Sequence, residues 1–218
     1  MKPLSYCIAL IFTLFCSKCA ASLLQINEIH YDNAGSDKNE FVELIGNAGT
    51  DLSHWSLLFY NGGNGKVYKN QPLTGTLANN SNGYGFATFY FSGIQNGSPD
   101  GIALVNNQHD FVSDFISYEG RFVATNGAAT GLVSTDILVT QPPSTAKGMT
   151  LQRTGSLQQV QWQLATSSPN AINQQQLLTT MPVTVSLPTT PILFSLSLLL
   201  LFAISYKKSV DQHYQFCA

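Results

Sequence analysis

Five carboxylates fall within seventeen residues, EIHYDNAGSDKNEFVEL at 28–44, in a chain that is only 10% charged. Oxygen ligands at alternating positions around a glycine would make such a stretch a calcium loop. Asp32, Asn33, Asp37, Asn39 and Glu40 flank Gly35, so the residue types for a weak cation site are present. The spacing departs from the EF-hand, whose D-x-[DN]-x-[DN]-G pattern demands an acid or amide at each alternate position before the glycine. Asn and Asp also concentrate in turns, because their side chains bond their own backbone. The stretch therefore reads as two strands joined by an exposed polar loop. Asp32 and Asp37 lie in that loop, and Glu28 and Glu43 lie on solvent-facing strand positions. No metal ligand is assigned.

The remaining candidates for chemistry are sparse. His30, His54 and His109 are the histidines of the central segment, and no two stand at a metal-ligand spacing, so they read as surface or loop residues. No Ser lies in a Gly-x-Ser-x-Gly elbow, which leaves a hydrolase triad unsupported. GNAG, NGGNG and GYG are not followed by a helix whose N-terminus would complete a phosphate loop. Cys7, Cys16, Cys19 and Cys217 all lie near the termini, so residues 22–191 offer neither a disulfide framework nor a Cys-ligated zinc. Eleven Asp/Glu stand there against six Lys/Arg, without the basic footprint of a nucleic-acid binder. No catalytic, cofactor or metal residue is assigned.

The elements that would position any site are strands. HWSLLFY places Trp55, Leu57 and Phe59 on one face, and NGGNG then supplies a hairpin turn before KVY. In LLQINEIHY the apolar phase set by Leu24 and Ile26 shifts at Ile29 and Tyr31. EFVELIG and GYGFATFYF read as further strands, and adjacent aromatics of the run Phe86, Phe89, Tyr90, Phe91 point to opposite faces. GIALV, NNQHD and FVSDFISY form a strand, loop and strand. GMTLQR sets Met149, Leu151 and Arg153 to one side, and VQWQL alternates Val160, Trp162 and Leu164. Trp55 and Trp162 read as core residues. Seven to nine short strands, with no helical apolar stripe before Pro191, predict an all-β, antiparallel sandwich.

Both ends differ from this pattern. Residues 1–21 have Lys2, a short apolar run and small residues ending at Ala21, the layout of a signal peptide. Residues 174–190 are rich in Gln, Thr and Pro and carry no charge, the composition of an extended stalk. Residues 191–206 are nearly unbroken apolar sequence, short against the roughly 20 residues of a full span. Ser195 and Ser197 fall on opposite sides of a helix, so the run has no polar face to turn to water. Lys207 and Lys208 follow it. The expectation is a C-terminal apolar helix anchoring the chain in a membrane, with residues 207–218 cytoplasmic. The folded domain is then residues 22–173.

The strand sequences resemble the lamin tail domain family. INEIHYDNAGSDKNEFVELIGNAGTDLSHWSL is similar to the family's opening strand, loop, Glu-Phe-Val-Glu-Leu strand and segment ending in Trp-Ser-Leu. SPDGIALVNNQHDFVSDFISYEG resembles its central hairpin, and MTLQRTG with QWQLATSSPNAIN resembles its close. The chain departs at Asn170, where the family usually has Gly. The resemblance covers roughly residues 24–173. It implies an immunoglobulin-like β-sandwich that binds or assembles without chemistry of its own. Bacterial members are secreted or surface-anchored and often accompany a nuclease. The Gly-Asp-Phe-Asn and Ser-Asp-His motifs of that nuclease class are missing here. The tail is similar in composition to sorting signals of the PEP-CTERM type.

Together these readings predict a non-enzymatic, exported binding or scaffolding module displayed at the cell envelope. Its partners would be the membrane and an envelope component such as a protein. The alternative is an accessory subunit of an extracellular nuclease, contacting nucleic acid beside a separate catalytic chain.

Overall fold

A computed structural model describes residues 24–157 and 159–179. The signal peptide, the apolar tail and most of the stalk assigned above lie outside the described residues. The chain runs β1 (Leu24–His30), β2 (Phe41–Asn47), β3 (Trp55–Asn61), β4 (Lys66–Pro72), β5 (Tyr84–Tyr90) and β6 (Asp100–Asn106). It continues through β7 (Phe111–Tyr118), β8 (Thr135–Asp136), β9 (Met149–Ser156), β10 (Gln159–Thr166) and β11 (Gln176–Leu177). Nine of these strands are seven or eight residues long, and β8 and β11 are two-residue strands. No described residue is helical.

The strands form two sheets. One has the order β10-β9-β1-β2-β5, with β11 on β9, and the other has the order β4-β3-β6-β7-β8. All pairings are antiparallel except β9 with β11 and β7 with β8. Ile26, Ile29, Val42, Leu44 and Leu151 from the first sheet share one buried cluster with Leu57, Phe59, Ile102, Leu104 and Ile116 from the second. The two sheets thus close on a common core, a sandwich-like arrangement.

Local sequence sets several of these features. The apolar phase shift after Ile26 is a break in the β1–β2 register between Ile26 and Glu28, a bulge at Asn27. Trp55, Leu57 and Phe59 face the shared core, while Leu58 and Tyr60 enter a separate cluster on the other side of the second sheet. That outer face is buried because Phe122, Ala124 and Ala129, between β7 and β8, lie over it. In the β3–β4 hairpin Gly65 adopts φ 70°, and a Cβ there would sit 2.3 Å from the Val123 carbonyl oxygen. Trp162 is half-buried rather than a core residue, and its ring receives the Arg153 guanidinium at 5.2 Å. Folded structure also extends past Asn173, since Gln176 is buried and β11 pairs with β9.

Candidate functional site

Glu28 and Glu43 overturn the strand-face reading: both are 0% exposed. They do face away from the shared core, but the closing segment, residues 167–177, folds back over them. Glu28 accepts hydrogen bonds from the Thr150 hydroxyl (2.5 Å), the Ser168 N–H (3.1 Å) and the Ser168 hydroxyl (3.0 Å). Glu43 accepts from Asn27 Nδ2 (2.9 Å), the Thr88 hydroxyl (2.7 Å) and the Asn170 N–H. Asn173 Nδ2 donates to the carbonyls of Asn27 and Arg153, and Gln176 donates to Asn27 Oδ1. The bulge thereby offers Asn27 to the same latch. Asn170 holds φ 60°, left-handed backbone that Gly adopts freely and Asn tolerates best among other residues.

Burial of Glu43 raises its carboxyl pKa from 4.5 to about 7, against its hydrogen bonds from Asn27, Asn170 and Thr88, with the Glu28 charge adding to the rise. The folded state therefore holds a proton that the unfolded chain releases near 4.5. Stability from this group is fully present below that value and is lost as pH climbs through about 7, a loss on the order of 3 kcal/mol at most. The thermal midpoint is expected to fall between about pH 5 and pH 8, and Glu43→Gln should flatten the slope. Thermal unfolding across that range checks it. An unchanged slope in the variant would assign the effect to other groups.

The acidic loop is also more deeply set than its composition predicts. Asp32 and Glu40 are each 4% exposed, whereas Asp37 is exposed as expected. Asp32 is covered because the loop folds against the molecule and is braced by Asn33. Asn33 Oδ1 accepts the Lys38 N–H, and Asn33 Nδ2 donates to the Ala34 and Ser36 carbonyls. Burial pushes the Asp32 carboxyl up, and the Asp37 carboxylate adds to the rise. Glu40 accepts the Gly93 N–H, Asp100 accepts those of Gly62 and Gly97, and Glu119 accepts the Tyr31 hydroxyl. Among the described residues no group of three or more His, Cys, Asp and Glu is placed to hold a metal ion.

His30 is buried rather than on the surface, because it ends β1 beneath the loops. Its Nε2 donates to the Lys38 carbonyl at 3.2 Å, leaving Nδ1 to accept from the Gln141 amide at 3.0 Å. His54 and His109 are exposed, as expected. The Gln108 and His109 N–H groups both donate to Asn106 Oδ1 in the β6–β7 turn.

Beside the braced loop lies a cleft of about 450 Å³. Asn33, Lys38 and Asn39 line it from the loop, and His30, Phe41 and Thr150 line it from the first sheet. Lys147, Gly148, Ser167, Pro169 and Tyr90 complete it. Its lining contains two lysines and no carboxylate. The ion pair found among the described residues is Arg153 with Asp114, so neither Lys38 nor Lys147 is neutralised by a bridge. Tyr90 is 63% exposed, with its ring 5.7 Å from that of Phe41. A second cleft, about 440 Å³, lies over Arg153, Asp114 and Trp162, whose polar groups are already joined to one another.

Reading by sequence missed the first cleft, since Lys38, Tyr90 and Lys147 come from three separate connections or strand ends. The alternation in GYGFATFYF does place Tyr90 opposite Phe89, which packs against the core. That alternation was the available signal. Comparison of the chain with protein-family models, with curated proteins and with solved structures finds no match.

Proposed function

We propose that the chain is a non-enzymatic binding or scaffolding module, an immunoglobulin-like sandwich of the lamin tail type held at the outer side of a membrane. One observation carries the reading. The buried carboxylates are committed to hydroxyl and backbone donors that fix loops, while the polar ends of Lys38, Lys147 and Tyr90 have no hydrogen bond or ion pair among the described residues and border a cleft. A general acid or base needs a poised group within reach of a substrate. Here the groups with raised pKa values serve as latches, and the accessible ones suit recognition. An exposed apolar pair, Val123 (51%) and Val133 (58%), bridged to each other, adds surface of the kind that partners cover.

The composition of residues 1–21 and 191–206, with the Gln/Thr/Pro stretch as spacer, supports export and display in this reading. The test is saturable binding. Purified full-length protein in mild detergent, labelled and added to envelope fragments, is expected to bind to a plateau and to be competed by unlabelled protein. Binding that neither saturates nor competes would contradict the module reading.

A further inference from the structure

We propose that the cleft beside the 31–40 loop binds an acidic sugar, a short oligosaccharide carrying carboxylates; this rests on the binding-module reading and names its ligand. Three features of the lining converge on that chemistry. Lys38 and Lys147 are exposed, lack an ion-pair partner among the described residues, and face a space without carboxylates of its own. Asp37, next to Lys38 in the chain, accepts from the Asn33 N–H and from Asn96 Nδ2, and does not line the cleft. Two cations held this way, in a domain where acids outnumber bases, call for an anion from outside.

The form of the anion follows from the donors. Phosphate sites favour cradles of backbone N–H groups. In this lining the Lys38 N–H is spent on Asn33 Oδ1 and the Ser167 N–H on the Gly148 carbonyl. The lysine ammonium groups are flexible point charges that can pair with a carboxylate without demanding a fixed fork. The exposed Tyr90 ring, backed by Phe41, offers a flat apolar face with a hydroxyl at its rim. A sugar ring has matching parts: apolar C–H faces and a hydroxyl edge, which the Asn39 amide and Ser167 hydroxyl can meet. The volume lies in the ordinary ligand range of about 300–1,000 Å³, enough for more than one ring.

The experiment titrates full-length protein in detergent micelles with a galacturonic acid trisaccharide. Parallel titrations use the neutral galactose trisaccharide, inorganic phosphate and a triglutamate peptide. The uronate is expected to bind about tenfold or more tightly than the neutral sugar, the scale of one charge-assisted contact. The double variant Lys38→Ala with Lys147→Ala should lose that margin and its salt dependence. Tyr90→Ala should weaken both sugars. These positions are exposed, and an unchanged thermal midpoint checks that the variants are folded. Equal binding of the neutral sugar, phosphate or triglutamate binding as tightly, uronate affinity indifferent to the lysines, or no uronate binding would each overturn the proposal. Saturable envelope binding without uronate binding removes the ligand class alone; loss of both removes the module reading as well.

Discussion

Replacing Arg153 with Met is expected to cost the domain about 3–5 kcal/mol, the range for breaking a buried ion pair from one side. Arg153 is 6% exposed and points from β9 toward the other sheet. Its Nη2 donates to Asp114 of β7, its Nε donates to the Ile26 carbonyl, and its guanidinium lies over Trp162. Asp114 also accepts the Ile26 N–H at 3.1 Å, so one carboxylate and one guanidinium tie β1, β7 and β9 together. Burial pushes the Asp114 carboxyl up, and the Arg153 charge is the largest influence holding it down. Met would fill much of the volume but leave a buried carboxylate without its cation. Adding Asp114→Asn should recover part of the loss, because neighbouring groups in one network are not additive. Urea unfolding followed by tryptophan fluorescence measures all three forms. A single-variant cost below about 1 kcal/mol, the value for an exposed pair, would contradict this account.

The strands themselves were legible. Trp55, Leu57 and Phe59 alternate because one face of β3 meets the shared core, and the NGGNG turn follows from left-handed backbone at Gly65. Even the bulge at Asn27 left a trace, since an extra residue must move the apolar phase from Leu24 and Ile26 to Ile29. The burial of Glu28 and Glu43 left none. A carboxylate at an outward strand position ordinarily meets water, and here its donors come from Ser168 and Asn170, 140 and 127 residues along the chain. The covering of the second sheet was hidden for a similar reason. Phe122, Ala124 and Ala129 lie in a connection without regular period, and only the tertiary fold lays them over Tyr60 and Phe115. Lysines in two loops likewise carry no sign that they will share a cleft.

The second large effect concerns where the domain resides. An apolar run as short as 192–204 can hold in a bilayer if Lys207 and Lys208 reach the headgroups and the membrane thins, at fractions of a kcal/mol per Å of mismatch. In the arrangement proposed above the lysines after the run stay cytoplasmic and the preceding stalk and domain lie outside. Removing residues 192–218 should therefore convert a membrane protein into a released one. Changing Leu199 and Leu200 to Asp should do much the same, since each Asp near the middle of a span costs about 2.5–3.5 kcal/mol. Loss of the anchor should leave the sandwich intact, because its shared core is built from residues 24–151.

Cell fractionation of the full chain beside the form lacking residues 192–218, with carbonate washing and external protease, tests display of the module most directly. The full chain should stay in the washed membrane with its domain open to protease from outside, and the shortened form should be soluble outside the cytoplasm. A shortened form that remains in the washed membrane, or a full chain found soluble in the cytoplasm, would contradict the account.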